Sequence, residues 1–156
     1  MKPVTNETRL WVDADACPAA VKEVLYRAAE RLQVVLTLVA NQPIRVPRSP
    51  WIRMVRVGSG FDVADRWIAE RAVAGDLVVT ADIPLAADVV RAGAVALNPR
   101  GTLYTEDNID DHLAQRDLLD QLRSEGAIAG GPSVMSSRHV QKFANELDRF
   151  LARVRR

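Results

Sequence analysis

The chain has 156 residues, enough for about one domain with a single substantial core. Its 48% hydrophobic and 26% charged residues are ordinary for a globular protein, and a formal net charge of +1 excludes a generally cationic nucleic-acid coat while leaving room for a local basic patch. One cysteine, Cys17, excludes an internal disulfide framework and points to a reducing, cytoplasmic setting; no apolar run is long enough to span a bilayer, and Met1 to Arg9 lacks the apolar core of a secretory signal.

Residues 1–8 read as a flexible tail ahead of a single domain over 9–156. Leu10 to Asp13 is a short buried strand. Ala19 to Leu32 carries Val21, Val24, Leu25, Ala28 and Leu32 at the spacing of one helical face, with Pro18 at its start, where a missing N–H costs nothing. Val34 to Val39 is rich in β-branched residues and reads as a second buried strand. A proline-punctuated loop from Asn41 to Pro50 leads to a third strand near Ile52 to Val57. A helix from Asp62 to Val73, a strand from Leu77 to Thr80, a short helix from Pro84 to Ala92 and a strand from Ala94 to Leu97 follow. That alternation is the signature of a mostly parallel α/β sheet flanked by helices.

The last third is helical. Thr105-Glu106-Asp107 reads as the cap of a helix running to Glu125, with Gly126 as its stop. After the Gly130-Gly131-Pro132 loop, Val140, Phe143, Ala144, Leu147, Phe150, Leu151 and Val154 form an apolar stripe on a helix from Ser137 to Arg155. Both helices are expected to pack on the same domain.

The chemistry lies at the strand ends. Asp13 and Asp15 follow the first strand, Asp62 and Asp65 follow the third, and Asp82 follows the fourth, two residues after Thr80. In an open parallel sheet, ligands bind outside the carboxyl ends of the strands, so five carboxylates gathered there call for a cation. Each also has a plain structural role available. Asp62 and Asp82 stand where helix caps stand, and Asp65 falls in the first turn of a helix, where the dipole favours an acid. Oxygen-rich, histidine-poor ligation suits Mg²⁺ or Mn²⁺ rather than zinc, and His112 and His139 lie in the late helices without zinc spacing to Cys17. Carboxylate-held Mg²⁺ or Mn²⁺ is the equipment of phosphodiester hydrolysis.

Two features fit a phosphate substrate. Arg45, Arg48, Arg53 and Arg56 cluster around Trp51, mixing cations with a stacking surface that suits RNA, although a solvated strand face explains them better. Arg100, in Asn98-Pro99-Arg100-Gly101 after the fifth strand, falls at the acidic edge, with Asn98, Thr80 and Asn41 as further candidate substrate contacts. Gly130-Gly131 can present backbone amides to an anion but matches no phosphate-loop motif. Cys17 reads as a small buried residue rather than a nucleophile.

Taken together, Trp11-Val12-Asp13-Ala14-Asp15-Ala16-Cys17-Pro18, Val39-Ala40-Asn41, Gly60-Phe61-Asp62-Val63-Ala64-Asp65, Thr80-Ala81-Asp82-Ile83-Pro84-Leu85-Ala86, Leu97-Asn98-Pro99-Arg100-Gly101, Gly130-Gly131-Pro132 and Phe143-Ala144-Asn145-Glu146-Leu147-Asp148 resemble the YaiI/YqxD family (UPF0178, DUF188) from about Leu10 to Arg153. The resemblance implies a PIN-like, Rossmann-like sheet with an acidic metal site: Asp13, Asp65 (or Asp62) and Asp82 as principal acids and Asp15 as accessory ligand. It implies no established activity. His139 stands where members usually carry aspartate, and Ala129 where threonine precedes the glycines.

Three function classes stay open: a metal-dependent phosphodiesterase acting on RNA, a haloacid-dehalogenase-type phosphatase with Asp13 as nucleophile, and a non-catalytic module binding RNA or protein. The second lacks a suitably placed lysine, since Lys142 is the only one after Thr80 and lies late in a helix. No reading requires a membrane.

Overall fold

The structure is a computed structural model and describes residues 8–60, 62–128 and 134–154. Residues 1–7 of the expected tail, the Gly130-Gly131-Pro132 loop, Ala129 and Arg155 lie outside these, while Thr8, the last tail residue, is buried.

Alternation along the first strand sets the layers. In β1 (Arg9–Asp13), Leu10 and Val12 point to one face of the sheet and Trp11 to the other, and all three are buried. β1 pairs in parallel with β2 (Val35–Ala40) on one side and β4 (Leu77–Val79) on the other. β3 (Ile52–Arg56) extends the sheet beyond β2, and β5 (Val95–Leu97) beyond β4. A sixth strand, β6 (Leu103–Tyr104), closes the order β3-β2-β1-β4-β5-β6 and is the one antiparallel member. The sequence reading has five strands, because two residues are too short to show a period.

The Leu10 and Val12 face is covered by α1 (Ala19–Leu32) and α5 (Ser137–Val154), through Val21, Leu25, Phe143 and Leu147. The Trp11 face is covered by α2 (Val63–Arg71) and α3 (Ile83–Arg91), with Ile68 and Leu85 buried against it. Trp67 of α2 meets Trp11 edge-on at 5.9 Å, which seats α2 over β1. This α/β sheet with helices on both faces is the expected architecture.

The fourth helix begins later than its sequence suggests. Thr105-Glu106-Asp107 forms a turn, not a cap: Asn108 accepts a hydrogen bond from the Thr105 N–H at 2.9 Å and donates to the Leu103 carbonyl at 2.8 Å. α4 then runs Ile109–Ser124 and packs along α3. Ile109 is its one buried residue, while Leu118 and Leu119 stay 55% and 37% exposed.

Two polar contacts hold the frame. Asp76, 1% exposed at the entrance to β4, accepts from the Trp11 indole N–H at 2.9 Å and from the backbone N–H groups of Arg9 and Val73 at 3.1 and 3.0 Å. At the head of α5, Nδ1 of His139 accepts the Ser136 N–H at 3.0 Å, taking the part an acid plays in a capping box.

Asp76→Ala should orphan three donors and lower unfolding free energy by roughly 3 kcal/mol or more, read as a lower urea midpoint at unchanged m-value. His139→Asp should keep the cap and add a charge the dipole favours, raising stability by about 0.3–1 kcal/mol; a lower melting temperature would refute that account.

Candidate functional site

Pairing register brings the first acid to its neighbour. Val12 stands opposite Val79, so the next residues, Asp13 and Thr80, meet where the two strands end. The Thr80 hydroxyl donates to Asp13 Oδ2 at 3.2 Å and accepts the Asp82 N–H at 3.0 Å. Thr80 is 1% exposed, so its hydroxyl positions Asp13 and Asp82 and does not face solvent as a substrate contact would. Asp82 caps α3 as its sequence suggests, accepting the Leu85 N–H on Oδ1 at 2.8 Å. Its second oxygen makes no such cap bond.

Asp62 departs from expectation. It holds the cap position of α2 but with φ of 64°, in the left-handed region, and its side chain accepts no cap hydrogen bond. An aspartate tolerates this backbone better than most residues, and here the carboxylate is left to line a crevice. Asp65, one turn further on, shares the wall of that crevice with Asp82.

Charge crowding follows. Asp65 is pushed up to about 7, first by burial, then by the charges of Asp82, Asp13 and Asp62. Asp13 is raised by burial and by the charges of Asp82 and Asp15, against the opposing pull of the Thr80 hydroxyl. Asp15 stands apart, exposed and accepting the Asn41 backbone N–H at 2.8 Å.

Among the described residues, no group of three or more histidine, cysteine, aspartate or glutamate side chains is arranged to hold an ion. The donor chemistry still fits a hard cation, because Asp13, Asp65 and Asp82 offer oxygen alone, and the charge of Asp82 raises both Asp13 and Asp65 in a way a positive charge would reverse.

A crevice of about 280 Å³ opens on Asp65 and Asp82, lined also by Asp62, Arg66, Asp88 and Arg116, while Asp13 is not on its wall. Sequence reasoning missed its two arginines. Arg66 was within reach, since Asp62, Asp65 and Arg66 fall at helical spacing on one face of α2. Arg116 had no signal, because it reaches the crevice only through the packing of α4 along α3.

The other expected contacts are dispersed. Asn98 locks its own turn, accepting the Arg100 N–H at 2.8 Å and donating to the Tyr104 hydroxyl at 3.2 Å. Arg100 does not line the acidic crevice, and its loop runs against α5. At Gly101, with φ of 97°, a Cβ would come within 2.6 Å of the Lys142 side chain, so only glycine lets the loop pack there. Of the arginines near Trp51 in sequence, Arg56 stands away from it. The Trp51 carbonyl accepts from Leu36 N–H at the amino end of β2, Arg53 donates to the Thr37 hydroxyl at 2.9 Å, and Arg56 stands at the carboxyl end of β3. Five residues of extended chain separate Trp51 from Arg56 by about 17 Å. Cys17 is buried and its thiol is pushed up to about 12 by desolvation, which leaves it inert. His112 lies edge-on to Tyr104 at 4.9 Å, outside the site.

An open, mostly parallel α/β sheet with an acidic crevice outside its strand ends defines the class of protein. Residues 11–153 match the family described as "Uncharacterized BCR, YaiI/YqxD family" (DUF188). A UPF0178 protein of Halorhodospira halophila is 62% identical over 145 residues, spanning 93% of this chain and 96% of its own. A UPF0178 protein of Shewanella sp. strain MR-7 is 60% identical over 151 residues (97% and 99%), and one of Aromatoleum aromaticum 58% over 146 residues (94% and 97%). The chain belongs to the YaiI/YqxD (UPF0178) family. No solved structure matches it. No helix among the described residues is long and apolar enough to cross a membrane.

Because folding raises the Asp65 pKa above its unfolded value, the native state binds the extra proton, and stability should fall as pH rises from about 4 to about 7. Asp65→Asn should melt higher than wild type at pH 8, with the gap closing below pH 5 in thermal scans. A pH-independent gap would contradict the crowding.

Proposed function

We propose that this protein is a metal-dependent phosphodiesterase acting on RNA, with Asp13, Asp65 and Asp82 holding Mg²⁺ or Mn²⁺ and Asp15 and Asp62 assisting at the margins. The observation that carries the reading is the gathering of Asp62, Asp65 and Asp82 on one crevice, with Asp13 held by the same Thr80 hydroxyl that accepts the Asp82 N–H. Structural acids are ordinarily placed where their charge is compensated, as Asp76 is by three N–H donors.

When bound, the ion would activate water as nucleophile and stabilise charge on the leaving oxygen. The chain's own residues do the rest. Thr80 fixes the carboxylate of Asp13 and the backbone of Asp82, so the two acids at neighbouring strand ends hold their spacing. Arg66 on the crevice wall offers positive charge to a phosphodiester, while Arg116 beside it is paired with Asp117 and Asp120 at 3.1 and 3.5 Å. Asp15, tied to the Asn41 N–H, braces the turn after β1.

Purified protein with Mn²⁺ should cleave a varied RNA pool. Asp13→Asn should abolish cleavage without unfolding the protein, since asparagine can still accept from Thr80, and Thr80→Val should reduce it by about 10–100-fold. An intact pool would overturn the nuclease reading and favour a binding module; a phosphoryl-aspartate analogue trapped on Asp13 would favour a phosphatase.

A further inference from the structure

On the same edge as Asp13, between the ends of the neighbouring β2 and of β3, lies a second open cavity of about 670 Å³. That volume falls in the ~300–1,000 Å³ range of ligand sites. Its wall includes Asn41, Gln42, Arg56, Gly58 and Ser59. The acidic crevice presents carboxylates; this cavity presents a guanidinium, two amides and a hydroxyl, and no carboxylate lines it. The Arg56 side chain is exposed and makes no hydrogen bond or ion pair with any described residue. A Cβ at Gly58 would meet nothing within 4 Å, so the cavity is open at that point. The two sites are joined: Asn41, on the cavity wall, gives its backbone N–H to Asp15 in the turn that follows Asp13.

Resting on the phosphodiesterase reading, we propose that this cavity seats a backbone phosphate of single-stranded RNA one or more nucleotides away from the bond held at the acidic edge, with Arg56 as its cation. An acidic edge repels a polyanion, so affinity for the strand has to come from cations beside it, and an unpaired arginine among neutral donors is the group best suited to a phosphate. The substrate is then a strand with several phosphates, and a lone phosphomonoester does not satisfy both sites.

The test is fluorescence anisotropy with a labelled single-stranded RNA of about 12 nucleotides, within the ~4–16 that single-strand sites cover. Binding is titrated over a range of salt, in Mg²⁺ and in EDTA. Arg56→Gln should bind about tenfold more weakly than wild type, with its log K against log salt slope shallower by about 0.7, one phosphate contact on a single strand. Arg149→Gln, on the outer face of α5, should match wild type. Equal affinity and slope for Arg56→Gln and wild type would overturn the proposal, as would wild type that binds no RNA in either condition. Arg56-dependent binding without cleavage would sustain this subsite while removing the nuclease reading; cleavage with no dependence on Arg56 would do the reverse.

Discussion

The site depends on the register of β1 against β4. Leu10 opposite Leu77 and Val12 opposite Val79 carry the chain forward so that Asp13 and Thr80 meet at the end of the pair. The pairing is clamped at both ends. At the entrance, the buried Asp76 carboxylate holds the Trp11 indole and the Arg9 amide; at the exit, the Thr80 hydroxyl holds Asp13. A slip of one residue would turn Trp11 out of its layer and carry Asp13 away from Thr80 and Asp82 together. Buried hydrogen bonds at the two ends make that slip costly in a strand pair only three residues long.

The second constraint is electrostatic. Asp76 and Asp65 are both acids packed against the same sheet, and their surroundings are opposite. Asp76 receives three N–H donors, whereas Asp65 faces Asp82, Asp13 and Asp62. The first arrangement holds a frame together, and the second opposes folding at neutral pH. A protein that keeps such an arrangement carries a destabilised region at its sheet edge, the usual condition of a site built to bind something of opposite charge. The hydrophobic layers supply the force that holds it: Trp67 against Trp11, with Ile68 buried beside them, keeps α2 and its acids over β1.

Much of the frame was legible in the residue order. β1, β2 and β4 are short β-favouring runs, and the stripe of α5 buries Phe143, Leu147, Phe150 and Leu151 as its spacing predicts. The cap by Asp82 follows from an acid two residues before a helix-opening proline. Other features needed contacts between distant segments. β6 exists because Leu103 and Tyr104 find the free edge of β5. The start of α4 is decided by Asn108 closing a turn on Thr105, a local bond that competes with the cap suggested by Thr105-Glu106-Asp107. Asp62 looks like a cap by residue type and fails as one because its backbone is left-handed.

From the sequence alone came the alternation of strands and helices, the buried identity of Cys17 and the delivery of acids to strand ends, because hydrophobic period and residue chemistry are local properties. Only the tertiary structure decided which acids meet. It turned Asp15 toward Asn41, set Asp65 beside Asp82, carried Arg56 to the end of β3 away from Trp51, and brought Arg116 to the crevice from a helix far along the chain. The reason is that proximity across a parallel sheet is fixed by register and by which face each helix covers, and neither is written in any single segment.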